Sequence, residues 1–310
     1  MSYAAADRLD EPRDAQALRL ATGPVTWGVD FADAPGNPPW EQVLDEIARS
    51  PVDALELGPV GYLPEEPAAL RAALASRDLR AIGSFVFDDL HDRAQRARVV
   101  AVAERACRAI AAAGGTVLVI IDRPCAERAA TAGRSAAAPR LGARGWQDLL
   151  DGIERVGEVA RALGIRPAVH PHAGGYLEFG DEIDRLVRDS DFDLCLDTGH
   201  LAYAGVDPAA ALAEHAERLV HVHLKDVDGE VLARVRAQRL DFWAAIAEGV
   251  FCPLGRGVVD LRDVCATLGR IGYAGFATIE QDRVPGSGAP LDDLVESVRV
   301  VRDAAGGEAP

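Results

Sequence analysis

Six of the seven histidines fall between positions 170 and 223, among them His170, His172, His200, His221 and His223. Four of them form two pairs with the same spacing, His170-Pro171-His172 and His221-Val222-His223. Residues two apart on a strand point to one face, so each pair aims two imidazoles in a single direction. Between the pairs stands Asp197-Thr198-Gly199-His200, and farther on Glu280 closes the run Ala277-Thr278-Ile279-Glu280. Imidazoles and carboxylates in such a set can hold a divalent cation and can pass protons. A single histidine at a strand end is ordinarily a structural residue. Several ionisable groups gathered together are another matter, because burying each unpaired is costly, whereas one cation compensates them at once. Mixed imidazole and carboxylate ligation suits Mn, Co, Zn or Fe(II) without choosing among them.

Lys225 follows His223 by two positions and so shares its strand face. It is the one lysine in a chain whose other basic residues are all arginine. An ammonium can give up a proton where a guanidinium effectively cannot, which suggests chemistry rather than surface charge. Glu56, in Leu55-Glu56-Leu57-Gly58, and Trp27 are weaker candidates for lining a pocket, and Trp27 could equally belong to the core.

These residues need elements to position them. From Leu18 onward, short β-rich runs alternate with longer segments of helical period, the pattern of repeated βα units. The predicted strands are Leu18 to Thr22, Ala54 to Leu57, Arg80 to Phe85, Thr116 to Ile121, Arg166 to Val169, Phe192 to Leu196, Leu219 to His223 and Phe276 to Ile279. The predicted helices are Trp40 to Arg49, Glu66 to Ser76, Gln95 to Ala113, Trp146 to Leu163, Asp181 to Arg188, Pro208 to His215, Leu261 to Ile271 and Leu291 to Arg302. Eight such units are the count of a (β/α)8 TIM barrel, an α/β fold of one domain whose active site lies at the C-terminal strand ends. The dinucleotide-binding alternative should show G-x-G-x-x-G after its first strand, and Thr22-Gly23-Pro24-Val25-Thr26-Trp27 stands there instead. The histidine pairs, Asp197 and Glu280 then mark four neighbouring strand ends. Arg128 to Arg144 reads as a mobile loop after strand four, and Asp226 to Gly257 as a long insertion after strand seven. Residues 1–17 read as a flexible N-terminal tail, residues 18–304 as the barrel and residues 305–310 as a C-terminal tail.

Composition limits the partners. The 310 residues carry a formal charge of −16, which repels phosphate backbones and anionic lipid surfaces, so neither nucleic acid nor membrane is expected. Residues 1–17 lack the basic start and apolar run of a secretory signal, and no apolar stretch is long enough to span a bilayer. Cys107, Cys125, Cys195, Cys252 and Cys265 are odd in number and widely spaced, which fits a reducing cytoplasm and neither a disulfide framework nor a zinc knuckle. The repulsion also disfavours anionic substrates and favours a small neutral one. The feature that could reverse this is Gly255-Arg256-Gly257, whose amides beside an arginine could bind phosphate.

The combination of His170-Pro171-His172-Ala173-Gly174, Leu196-Asp197-Thr198-Gly199-His200, His221-Val222-His223-Leu224-Lys225-Asp226 and Thr278-Ile279-Glu280 resembles the xylose-isomerase-like sugar isomerase/epimerase barrels. Within them it is most similar to the inosose (2-keto-myo-inositol) dehydratase group. Gly23 to Gly28, Glu56-Leu57-Gly58 and the insertion from Val231 to Asp260 carry that closer likeness, and the resemblance spans roughly Leu18 to Arg302.

The resemblance implies one divalent metal held by His170, Asp197, His223 and Glu280. The wider superfamily has glutamate where this chain has His170, which leaves His170, His172 and Glu178 open as the strand-five ligand. It implies a metal-dependent dehydratase acting on a polyhydroxy ketone, a keto-cyclitol such as 2-keto-myo-inositol, through an enediolate, with a ketose isomerase or 3-epimerase as the alternative. In either, a Lewis acid acidifies the carbon next to the ketone, and side chains move the protons. His172, His200 and Lys225, with Glu280, are candidates for that work, and Arg234 or Arg236 for covering the substrate as a lid. Similar barrels dimerise, which makes a homodimer the expectation, although no stretch of this chain marks an interface. A metal-dependent abasic-site endonuclease shares the barrel but needs a basic groove, which the −16 charge denies. A non-catalytic sensor barrel would have to explain an intact set of ligands.

Overall fold

A computed structural model describes residues 18–306 of the chain, so the expected N-terminal tail lies outside the described residues. Eight parallel strands run in the order of a barrel: β1 (Arg19–Ala21), β2 (Ala54–Glu56), β3 (Arg80–Asp88), β4 (Val117–Asp122), β5 (Arg166–Val169), β6 (Leu194–Asp197), β7 (Leu219–Leu224) and β8 (Phe276–Ile279). β8 pairs with β1, and the ring closes between β1 and β2 through a parallel bridge from Thr22 to Leu55. Thr22 N–H donates to the Ala54 carbonyl at 3.1 Å, and Glu56 N–H to the Thr22 carbonyl at 2.9 Å.

Both faces of each strand are buried, as a parallel sheet wrapped by helices requires. Leu118, Ile120, Leu194, Leu196, Val222 and Leu224 face outward to the helices in the main core. The alternate positions face inward and fill the barrel in tiers. Ala21, Ala54 and Ile82 plug the bottom, and Val25, Phe85, Val119, Ile121, Ala168 and Cys195 fill the middle. Above them the interior turns polar.

Every predicted strand and helix is present, with ends shifted by a few residues at most. Helix Pro208–Glu214 shows why starts were readable: Asp207 accepts from Ala210 N–H and Pro208 takes the first turn, where no amide donor is needed. The expectation of a mobile segment from Arg128 to Arg144 is corrected. It contains a helical turn, Ala126–Ala129, and a 3-10 turn, Ser135–Ala137. Arg128 is fully buried, with its guanidinium forked onto Glu182 at 2.8 and 2.9 Å and 3.4 Å from Glu178. Those partners stand some 50 residues away in the chain, beyond the reach of local composition.

The insertion after β7 is also folded. Helices Gly229–Gln238 and Phe242–Ala247 stand between Asp226–Val227 and Phe251–Cys252, which pair antiparallel. Leu232, Val235, Phe242, Ile246 and Phe251 form a second apolar cluster with Ala173 and Tyr203 above the barrel. No helix among the described residues is long and apolar enough to cross a membrane.

Candidate active site

The C-terminal ends of β5 to β8 converge on one buried cluster. Asp197 and His223 are register partners on adjacent strands, and Thr278 of β8 pairs with His223 from the other side. Asp197 serves two purposes at once. Its Oδ1 caps the helix Thr198–Ala204 by accepting from Gly199 N–H at 2.7 Å and His200 N–H at 2.9 Å. Its Oδ2 has no hydrogen-bond partner although buried, and it lies 4.0 Å from His170 Nε2 and 3.8 Å from His223 Nδ1. His223 Nδ1 is likewise buried without a hydrogen-bond partner, 3.2 Å from Glu280 Oε2. Asp197 Oδ2 and His223 Nδ1 thus lack hydrogen-bond partners within the cluster, and His170, Asp197 and His223 are spaced to share a cation.

Beneath the cluster, Glu56 Oε1 accepts from His223 Nε2 at 2.9 Å, His221 Nε2 at 2.8 Å and the Thr278 hydroxyl at 2.7 Å. Glu56 is therefore not a pocket-lining residue; it fixes the His223 ring with Nδ1 turned to the cluster, as carboxylates behind metal-binding histidines do. Burial raises its pKa, but His223 and His221 hold it well below the usual carboxylate range.

Lys225 completes the arrangement. Its buried Nζ lies 2.6 Å from Asp282 Oδ1, 3.2 Å from Asp197 Oδ2, 3.4 Å from Glu280 Oε2 and 3.1 Å from His200 Nε2. Burial opposes its charge, yet Asp197, Asp282 and Glu280 push its pKa well above the ordinary lysine value. The expectation of a lysine that gives up its proton is thereby narrowed to an ammonium that donates. Burial likewise opposes the charge of His223, but Cys195, Glu280 and Glu56 raise its pKa well above the ordinary imidazole value, whereas three other imidazoles go the other way. Burial, with the surrounding cationic groups, drives His170 and His200 well below the usual imidazole range and His172 down to about 3. This favours their neutral form, and a neutral imidazole can ligate or accept a proton.

Above the cluster is a chamber whose other wall is apolar, made by Val25, Phe85, Phe87 and Ile121. Phe242 and Phe251 of the insertion pack on His172 and His200, with ring centroids 5.4 and 5.3 Å apart. The arginines expected as a lid are elsewhere. Arg234 is exposed and 3.5 Å from Glu248, and Arg236 donates to the Tyr203 carbonyl at 2.8 Å. Their helix turns Leu232 and Val235 inward, so these arginines fall on its outer face. Trp27 also misses the chamber: its Nε1 donates to Glu46 at 2.6 Å, and its ring belongs to the outer core.

Sequence reasoning passed over Asp282, Asp226 and Asp30. Asp282 follows Glu280 by two positions, and the alternation that singled out Lys225 applies to it equally. Asp226 answers the question raised by Gly255-Arg256-Gly257. Its carboxylate accepts from Gly255 and Gly257 N–H at 2.9 Å each, and from Val227 at 2.8 Å and Val259 at 3.0 Å. A Cβ on Gly257 would lie 2.2 Å from Asp226 Oδ1, so only glycine lets the loop close on it. Arg256 pairs with Glu296 at 2.6 Å. The amides that could cradle a phosphate already hold the protein's own carboxylate. Glu178 accepts from Gly133 and Gly174 N–H at 2.6 and 3.0 Å, within the Arg128 ion pairs rather than in the cluster at the ends of β5 to β8.

The family model described as xylose isomerase-like TIM barrel matches residues 44–304. The rhizopine catabolism protein MocC of Rhizobium meliloti is 32% identical over 282 residues, covering 89% of this chain and 85% of that protein. An inosose dehydratase of Geobacillus kaustophilus is 30% identical over 289 residues, covering 88% and 90%. Among solved structures, the IOLI protein with a bound zinc atom superposes with a TM-score of 0.68 at 13% identity, covering 93% of this chain and 98% of that one, a likeness of fold.

Proposed function

The chain belongs to the xylose isomerase-like TIM barrel family, and we propose that it is a metal-dependent hydro-lyase removing water from a keto-cyclitol such as 2-keto-myo-inositol. The observation that carries this reading is the pair of buried atoms without a hydrogen-bond partner, Asp197 Oδ2 and His223 Nδ1, gathered with His170, Glu280 and Lys225. His170, Asp197, His223 and Glu280 are the ligands of one divalent cation, of the Mn, Co, Zn or Fe class. When bound, that cation supplies Lewis acidity for a ketone oxygen and its neighbouring hydroxyl. The inosose dehydratase relative supports the substrate class, and the zinc in the IOLI protein supports a cation in this fold.

The side chains supply the rest. His172 Nδ1 lies 2.9 Å from the Ala173 carbonyl; donation there leaves Nε2 as an acceptor for the proton next to the ketone. Lys225, held as an ammonium, stabilises developing negative charge and can protonate the departing hydroxyl, with Asp282 keeping it in place. His200, packed on His172 with ring centroids 3.9 Å apart and reached by Lys225 Nζ, connects the two. The phenyl rings of Phe85, Phe87, Phe242 and Phe251 exclude water, which strengthens each of these interactions. The acidic surface and the amides already engaged by Asp226 favour a neutral substrate over a sugar phosphate. The reading places the enzyme in the cytoplasm, as a homodimer of single-domain barrels with tails at residues 1–17 and 305–310.

Incubation of the metal-loaded protein with 2-keto-myo-inositol tests the reading. Dehydration yields an ultraviolet-absorbing diketone, and removal of the metal by chelation abolishes it. Isomerised product without the absorbance would move the assignment to the isomerases and epimerases. A clear preference for a phosphorylated ketose would overturn the neutral substrate.

A further inference from the structure

Most carboxyl groups around the chamber have partners. Asp197 caps a helix, Glu280 meets His223 and Lys225, and Asp282 holds Lys225. Asp30 also lines the chamber, arriving from the loop after β1, and no hydrogen bond or ion pair among the described residues reaches its side chain. Its place is nevertheless built. Gly28 has φ +81°, and a Cβ there would lie 2.7 Å from the Arg283 carbonyl, so the loop can lie on the segment after β8 only with glycine. On the other side of Asp30, Phe31 packs on Phe87 and Trp243 with ring centroids 5.5 and 5.9 Å apart. A carboxyl without a partner is thus held between two anchored residues, on the side of the chamber supplied by the β1 loop.

We infer that Asp30 is a substrate-contacting residue that selects for a polyol by hydrogen-bonding hydroxyls remote from the ketone. The inference rests on the keto-polyol reading of the site. The chemistry follows from the arrangement. The cluster on β5 to β8 engages the carbonyl end of the substrate, and the aromatic wall offers its remaining hydroxyls no polar partner. Asp30 is the polar group left to meet them, and a carboxyl can engage two vicinal hydroxyls together. Burial, reinforced by Asp282 and opposed by Lys225, raises its pKa to about 8. A hydroxyl-directed carboxyl in such a site discriminates strongly against an analogue lacking that hydroxyl.

Asp30→Asn and Asp30→Ala, prepared in the metal-loaded full chain, decide the matter by calorimetric titration with 2-keto-myo-inositol and, separately, with a free ketohexose. Metal content and melting temperature are measured alongside. We expect the ligand that binds the wild type to bind Asp30→Ala at least about tenfold more weakly, with metal content unchanged and melting temperature not lowered. Asp30→Asn should fall between them, because an amide retains a donor and an acceptor. Wild-type affinity in both variants would overturn the role of Asp30 while leaving the keto-polyol reading intact. Weaker binding accompanied by metal loss would also overturn it, since the effect would then pass through the ligand cluster. Failure of both ligands to bind the wild type would overturn the reading of the site and this inference with it.

Discussion

Strands β3 and β4 end in aspartates, as β6 does, yet the three carboxylates have opposite fates. Asp88 on β3 is clasped by Arg98 at 2.6 and 2.7 Å, and Asp122 on β4 accepts from His91 Nδ1 at 2.7 Å and Tyr176 N–H at 3.1 Å. Asp197 on β6 leaves Oδ2 without a hydrogen bond, turned into the cluster of His170, His223 and Lys225. The difference is one of parity. Phe85 and Phe87 point inward on β3, and Val119 and Ile121 on β4, so the following aspartates point away from the chamber. On β6 it is Cys195 that points inward, and Asp197, two residues on, joins it. A carboxylate at a strand end therefore makes a site only where the alternation turns it to the barrel axis. The mouth divides accordingly, with the histidines, Asp197, Lys225 and Glu280 on β5 to β8 and an apolar wall of Phe85, Phe87 and Ile121 on β3 and β4.

The largest expected effect tests that division directly. Asp197→Asn keeps the cap, because the amide oxygen still accepts from Gly199 and His200, but replaces the bare oxygen by an NH2 that cannot ligate. Metal retention and turnover should both be lost, as in Glu280→Gln, whereas Asp122→Asn should keep its metal. Elemental analysis after desalting checks all three. Full occupancy in Asp197→Asn, or loss in Asp122→Asn, would break the comparison.

A smaller effect is expected one layer below. Glu56→Gln preserves the shape but weakens the hold on His223 Nε2, and metal affinity should drop roughly 10- to 100-fold, as for carboxylates behind histidine ligands. A competition titration against a chromophoric chelator measures this. An unchanged affinity would reduce Glu56 to a structural partner of His221 and Thr278.

The smallest effect belongs to the outward-facing half. Burial opposes the charge of His91, but its hydrogen bond and attraction to Asp122 raise its pKa above 6.5. A pKa raised by folding stabilises the fold fully below the unfolded value and is lost as pH climbs through the folded one. The wild type should exceed His91→Gln by about 1 kcal/mol in acid, with the gap closing toward alkaline pH. Urea unfolding on both sides of that range reads it, and a pH-independent difference would count against the pair.

Much of this protein was legible in its residues. Alternating β-rich and helical runs delivered eight strands and the eight helices between and after them, because local periodicity and caps such as Asp207-Pro208 are properties of neighbouring residues. His170, Asp197, His223, Lys225 and Glu280 stood out because spacing by two on consecutive strand ends is itself a statement about direction. What the tertiary structure decided is everything that depends on groups distant in the chain. Glu56 was placed behind His223 only by closure of β2 against the rest of the barrel, 167 residues away in sequence. Arg128 was ordered only by Glu178 and Glu182, and the Gly255 and Gly257 amides were engaged only by Asp226. Strand parity was hidden for the same reason: both faces of a parallel barrel strand are apolar, so the residues alone do not say which one looks inward. Only the packed barrel turned Asp197 to the axis and Asp88 and Asp122 away from it.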